Sequence, residues 1–159
     1  MILSTQSLNQ YILGLAKALD TRGFDVESGP IAEFDPAGYV AYSVVGVLQE
    51  PPGSGRTEIS LDEIWHPLPE RRWERREYSY DLLDRPRHRR RAFHLHDREL
   101  AEAALRSIVH EHCEEVIGQP ACRHYLGREL PDGYQAIDFL MAAWVEPGDL
   151  GSSSLVCLD

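Results

Sequence analysis

His94 and His96 stand two residues apart on a segment that also carries Arg90, and the preceding segment supplies Arg75, Glu77, Tyr80 and Asp81. Histidine titrates near neutrality, and a carboxylate beside it fixes its tautomer and orientation. Arginine presents a planar fork of donors that matches two phosphate oxygens. These groups suit metal-independent cleavage of RNA. A base takes the proton of the ribose 2′-hydroxyl, arginines stabilise the crowded phosphorane, and an acid protonates the leaving oxygen. In that chemistry His94 titrates, Glu77 orients it, His96 is the acid, and Tyr80 is a stacking or proton-transfer group. Arg75 and Arg90 clamp the phosphate. The same residues also suit an ordinary solvated ionic ladder, because exposed ion pairs are common and individually weak.

The element that must position them is a β-hairpin. Arg72 to Leu83 and Arg87 to His96 read as two strands joined near Asp84-Arg85-Pro86-Arg87. Side chains alternate across a strand, so turn length decides which residues share a face. Pairing Leu83 with His88 around a four-residue loop sets Tyr78 opposite Phe93, Leu82 opposite Arg89 and Tyr80 opposite Arg91 on an aromatic, apolar face. The other face is then ionic, with Glu77 opposite His94, Asp81 opposite Arg90 and Arg75 opposite His96. Tyr80 thus falls on the face away from His96, in conflict with a shared catalytic role.

The stretch Glu77-Tyr78-Ser79-Tyr80-Asp81-Leu82-Leu83-Asp84, the Arg-rich strand after it and His94-Leu95-His96 resemble the core of TumE-like toxins of bacterial toxin–antitoxin systems. Such proteins carry a Tyr-x-Tyr strand, an Arg-containing strand and a His-x-His element. The resemblance implies a small RNA-directed toxin with a cognate antitoxin as partner. It adds Tyr78 and Arg91 to the residues of interest, beside Tyr80, Arg90, His94 and His96. The chain departs from the family in lacking an Arg-Tyr-Asp-Asn stretch after the second strand, Asn9 being its one asparagine, and in its longer N-terminal region.

Around the hairpin, Leu8, Tyr11, Ile12, Leu15 and Leu19 repeat at helical spacing, with a Ser7/Gln10 capping box and Gly23 as a stop. Ser28-Gly29-Pro30 and Asp35-Pro36 read as loop. Gly38 to Leu48 is apolar on both faces, as an interior strand is. Pro51 to Gly55 is a loop, and Thr57 to Trp65 a strand ended by Pro67 and Pro69. Asp97 caps a second helix whose stripe is Leu105, Ile108, Val109, Cys113 and Val116, with Gly118 as terminator. Its acids, Glu99, Glu102, Glu111, Glu114 and Glu115, read as a solvated face. Tyr134 to Val145 reads as a third helix, with Ala142 to Val145 also readable as a strand, and Leu155 to Leu158 is strand-like. Trp65, Trp73 and Trp144 read as packing residues. The expected fold is α+β, one domain over residues 1–159, with a largely antiparallel sheet of four or five strands and two or three helices.

Nine of the sixteen Lys+Arg residues lie between Arg71 and Arg91 against four acids, leaving that segment at +5 and the remainder at −15. Fifteen of the sixteen are Arg, so a chain-wide bias accounts for part of the enrichment. A net charge of −10 opposes general affinity for nucleic acid or anionic membrane and leaves only a local basic surface for such a partner. Three cysteines, no signal-peptide pattern and a longest apolar run from Phe139 to Val145 point to a cytoplasmic protein away from membranes. Phosphate-loop, Rossmann and Gly-x-Ser-x-Gly motifs are absent, and no cofactor is expected. His94 and His96 share one side of a strand and can chelate an ion. His110 and His112 diverge on a helix, and the Cys113–Cys122 spacing, with His124 nearby, fits no zinc pattern, so no metal is expected. Two functions follow: a metal-independent endoribonuclease that binds RNA at the hairpin, or a non-catalytic interaction module, such as a homodimer or regulatory partner, that meets an acidic surface there.

Overall fold

Ser4 starts the first helix. Its backbone is extended (φ −72°, ψ 161°) and its Oγ accepts the N–H of Ser7 at 3.1 Å, the geometry of an N-cap. The computed structural model describes residues 1–30, 38–49, 55–96, 109–114, 116–118, 122–125, 129–145 and 156–157. The cap lies three residues before the Ser7 expected from sequence because Ile2–Ser4 is already a strand, β1, that delivers the chain extended. Helix α1 (Thr5–Asp20) buries Leu8, Tyr11, Leu15 and Leu19 and gives way at Gly23, whose φ of +88° suits glycine.

The described strands form one nine-stranded, antiparallel sheet, more than the four or five expected. They are β1, β2 (Asp25–Pro30), β3 (Val40–Gln49), β4 (Arg56–Leu68), β5 (Arg72–Asp84), β6 (Arg89–Leu95), β7 (Val109–Glu114), β8 (Cys122–Tyr125) and β9 (Val156–Cys157). Strands β2 to β9 lie side by side in chain order. The 13-residue β5 holds two neighbours on one edge, β1 against Arg72–Glu74 and β6 against Tyr78–Asp84. Pro67 pairs with Trp73 and does not end β4. Helix α2 (Gly133–Val145) matches the third helix expected from sequence. No described helix is long and apolar enough to cross a membrane.

The second helix is overturned where it can be compared. Val109 to Glu114 is strand β7, paired with β6, and the rest of that segment, 97–108, lies outside the described residues. Val109 and Glu111 are buried while His112 is half-buried, a period of two. Of the acids read as a solvated helix face, Glu111 and Glu114 are buried, paired with Arg91 and Arg90, and Glu99, Glu102 and Glu115 lie outside the described residues.

Both helices pack on one face of the sheet. Leu8, Leu15 and Leu19 of α1 and Ala136, Ile137 and Leu140 of α2 share a core with Tyr42, Val44, Ile59, Leu61, Trp65, Leu82, Phe93 and Leu95. Each fully buried Leu or Ile there contributes roughly 1.5–3 kcal/mol. Gly46 allows the close approach of α1 to β3, since a Cβ on it would come within 3.1 Å of Leu19 and Phe24.

Inside this core lies a polar cluster. The pairing of β4 with β5 slips between Ile64↔Glu77 and Trp65↔Arg75, so Arg76 bulges outward and Arg75 turns to the core face. There Arg75 and Glu63 form an ion pair of 3.4 Å, both side chains almost wholly excluded from solvent. The Glu63 carboxylate also accepts hydrogen bonds from Tyr11 (2.8 Å), Tyr42 (2.5 Å), the Trp65 indole (2.9 Å) and Tyr80. Arg75 donates to Tyr80 Oη at 2.7 Å and to the Leu130 carbonyl, and its guanidinium lies 4.8 Å from the centre of the Tyr78 ring. Tyr78 Oη accepts the Leu130 N–H and Tyr11 Oη the Gly133 N–H, so the entry to α2 is tied to the same cluster. Burial raises the pKa values of Tyr11, Tyr42 and Tyr80 above the usual phenol range, and the Glu63 charge adds to the effect. They stay protonated and donate. Burial works against the Arg75 charge, but the Tyr80 and Glu63 oxygens more than offset it and its pKa ends above the ordinary value.

Glu63→Ala strips Arg75 and three phenols of their acceptor and is expected to cost about 3–5 kcal/mol in urea unfolding. The double variant Glu63→Leu, Arg75→Met removes both charges and is expected to recover part of that loss. A double variant as unstable as the two single losses summed would show that the charges do not act as a pair.

Candidate functional site

The opposite, polar face of the sheet carries the histidines. The observed hairpin pairs Asp84 with Arg89, Leu83 with Arg90, Tyr80 with Phe93 and Ser79 with His94. This register is two residues away from the Leu83–His88 pairing expected from sequence. The turn keeps four residues but begins one later, because Asp84 accepts the Arg87 N–H at 3.2 Å and Arg87 Nη1 at 2.9 Å, and His88 adopts a left-handed φ of 55°. A shift of two preserves alternation, so the division between apolar and ionic faces survives for β6 and for β5 beyond the bulge. The cross-strand partners change: Ser79, in place of Glu77, lies opposite His94, and Ala92, in place of Arg90, lies opposite Asp81.

Asp81 is the hub of this face. Its carboxylate accepts Arg90 Nε at 2.5 Å and Ser79 Oγ at 3.1 Å, and lies 3.5 Å from His94 Nε2. Arg90 reaches across to Glu114 at 3.0 Å, and Glu114 also accepts the Gly118 N–H at 2.7 Å. Burial alone would raise the Asp81 carboxyl, but hydrogen bonds from His94 and Arg90, with the Arg90 charge, more than offset it and hold it below the usual carboxylate range. On β4, burial raises the Asp62 carboxyl and the nearby Asp81 adds to that, while a Ser43 hydrogen bond opposes it.

His94 stands among imidazoles. Its ring centre lies 5.7 Å from that of His96 and 4.9 Å from that of His112 on β7. Burial and the neighbouring His94 lower the His96 pKa below the ordinary value, with Glu77 opposing. The neutral imidazole is thereby favoured at His96. An aspartate beside one histidine and a second, neutral histidine next to it can accept and deliver protons on one surface. Among the described residues, no group of three or more His, Cys, Asp or Glu side chains is arranged to hold a metal ion. The side chains of Cys113, Cys122 and His124 lie outside the described set.

The eight residues singled out from sequence therefore divide. Glu77, Arg90, His94 and His96 belong to the polar surface. Tyr78, Tyr80 and Arg75 lie behind the sheet in the Glu63 cluster, which corrects the placement of Arg75 beside His96. Arg91 also faces the core side, in an ion pair with the buried Glu111. Asp81, Asp62, His112, Glu114 and Glu63 are the polar residues absent from that set. Strand alternation reaches Asp81, and it marks Glu63 as the one acid in register with Thr57, Ile59, Leu61 and Trp65, whereas His112 and Glu114 were hidden by the helical reading. No protein-family model, curated protein or solved structure matches the chain.

The lowered pKa of Asp81 has a definite sign. Its stabilisation is fully present above the unfolded-state value of about 3.9 and is lost as pH falls through the lower folded-state value. Asp81→Asn is expected to lower stability by about 1.5–3 kcal/mol at neutral pH, the worth of hydrogen bonds to a charged group. In urea titrations at several pH values, its gap from wild type should narrow only below pH about 3.9. A gap independent of pH down to acid unfolding would show that the carboxylate charge contributes nothing.

Proposed function

We propose that the protein acts on RNA, and that the polar sheet face around Asp81, His94 and His96 cleaves the phosphodiester without a metal. One observation carries this reading: His94 stands between the Asp81 carboxylate at 3.5 Å and the His96 ring, whose neutral form is favoured. The roles differ from those read from sequence. His96, whose neutral form is favoured, is the better base, and His94, steadied by Asp81, is the acid. His96 takes the 2′-hydroxyl proton, the 2′-oxygen bonds to phosphorus, and the bond to the 5′-oxygen breaks as His94 protonates it. The products are a 2′,3′-cyclic phosphate and a free 5′-hydroxyl. Arg90 has five N–H donors, and the two directed at Asp81 and Glu114 leave others for a phosphate oxygen. Tyr80 takes no direct part, because it is fully buried in the Glu63 cluster. The resemblance to TumE-like toxins falls on this same hairpin and supports a toxin role with a cognate antitoxin as partner.

A second function has its own supporting observation. Arg75 and Arg90, expected to clamp phosphate, and Arg91, added by the resemblance, each meet a carboxylate of the same chain. Arginines so engaged suit a scaffold more than a phosphate clamp, which favours a non-catalytic module that binds a protein partner or a second copy of the chain.

Purified protein incubated with total RNA separates the two. His94→Ala and His96→Ala are each expected to lower the cleavage rate by about 10²-fold or more, the usual worth of a general acid or base, and to relieve growth arrest on induction. No cleavage by wild type, with equal growth of all three strains, would overturn the enzymatic function and leave the binding module.

A further inference from the structure

The turn between β5 and β6 gathers cations that the proposed chemistry does not use. Arg85, Arg87 and His88 are exposed there, and Arg89 follows at the start of β6. Arg56 joins them from β4, since its carbonyl accepts the Arg85 N–H at 3.3 Å. Two of these arginines are matched by acids, Arg56 by Glu58 at 3.0 Å and Arg87 by Asp84 at 2.9 Å. Arg85 and Arg89 have no ion-pair partner among the described residues, so the described residues at this end of the sheet carry an unbalanced charge of two. In a chain of net charge −10, a polyanion is steered to such a point and repelled elsewhere.

Strand β6 joins this point to the histidines. Arg89 and His94 are five positions apart, about 17 Å along a strand; Arg89 shares the core-side register of Arg91 at the very end of the sheet, and Arg90 is the first cation of β6 on the polar face. A single-stranded backbone laid along β6 meets cations first and the Asp81–His94–His96 group further on. Phosphates need only such cations, whereas a protein partner needs an apolar centre. Near this turn Val116 is the one exposed large apolar side chain among the described residues, next to Ile117, whose N–H bonds the His88 carbonyl. These features favour RNA over an acidic protein.

We infer that Arg85 and Arg89 anchor the backbone of single-stranded RNA at the end of the sheet, several nucleotides from the scissile phosphate, with the strand passing from the turn onto the polar face at Arg90 and on to His94. The anchor rests on the reading of the His94 face as an RNA-acting site. It predicts binding that outlives the chemistry: a variant that cannot cleave still holds RNA, while a variant without the two cations holds it poorly.

The test measures binding of a fluorescent polyuridylate oligonucleotide against salt concentration for wild type, Arg85→Gln/Arg89→Gln and His94→Ala, with thermal unfolding to verify that each is folded. The double variant is expected to bind more weakly and to lose about 1.4 from the slope of log K against log salt, two single-strand phosphate contacts at about 0.7 each. His94→Ala should keep the wild-type slope. An unchanged slope in the folded double variant overturns the anchor even if wild type cleaves RNA. An Arg85- and Arg89-dependent slope without any cleavage supports the anchor and overturns the catalytic role of His94. Polyglutamate binding as tight as that of polyuridylate would assign the turn to an acidic protein and overturn the inference.

Discussion

The carboxylate of Glu63 is the point on which the architecture converges. It is buried under α1 and α2, and a charge placed there is tolerable only if nearly every lone pair is answered. Three phenols, an indole and a guanidinium answer it, drawn from α1, β3, β4 and β5. Arg75 and Tyr78 extend the cluster to Leu130, and Tyr11 extends it to Gly133, so the start of α2 is held by the same groups. Close packing alone would leave the angle between helices and sheet loosely specified. A fully satisfied polar cluster is far less forgiving, because shifting any one element leaves a donor without its acceptor.

The bulge at Arg76 is what makes the cluster compatible with the polar face. Without it, Arg75 would share a side with Glu77 and Asp81, and Glu63 would be a buried charge with no countercharge. With it, β5 carries two unlike surfaces back to back: Tyr78 and Tyr80 locked into the core, Ser79 and Asp81 presented outward. The residues around His94 therefore sit on a strand fixed from behind by ring stacking, with Tyr78 and Tyr80 4.5 Å apart, and by the ties to Glu63. Proton transfer demands such backing, since a small misplacement of an acid or base is costly in rate. The same rigidity would serve a binding surface, which is why the arginine pairings weigh on the choice between the two functions.

Much of this organisation is legible in the residue pattern. The stripe of α1, the apolar run of β3 and the alternation in β4 to β6 mark their elements through spacing alone, and α2 appears where its helical pattern lies. Failures arise where long-range pairing overrides a local signal. Residues 109–114 carry Val, Cys and alternating charge, a pattern that fits a helix stripe until β6 supplies partners for Glu111 and Glu114. Strand β1 is three residues long and exists because β5 has a free edge beyond β6. The hairpin register turned on where the loop begins, which the Asp84 contacts decide and composition does not. The bulge leaves no local trace, because Arg75 and Arg76 are the same residue type and only the pairing with Glu63 distinguishes them. Thus strand alternation separates the surface of His94 and His96 from the apolar one, Arg75 apart, while the neighbours of His94 come only with the fold.

The most direct measurement of the central claim is the histidine side-chain nitrogen spectrum of isotopically labelled protein during titration with a 2′-deoxy-substituted, uncleavable RNA. If the polar face is the site of RNA chemistry, the His94 and His96 ring nitrogens shift with saturation and His66, on β4, stays in place. Saturable RNA binding that leaves the His94 and His96 signals unmoved would contradict the account and place the working surface elsewhere on the protein.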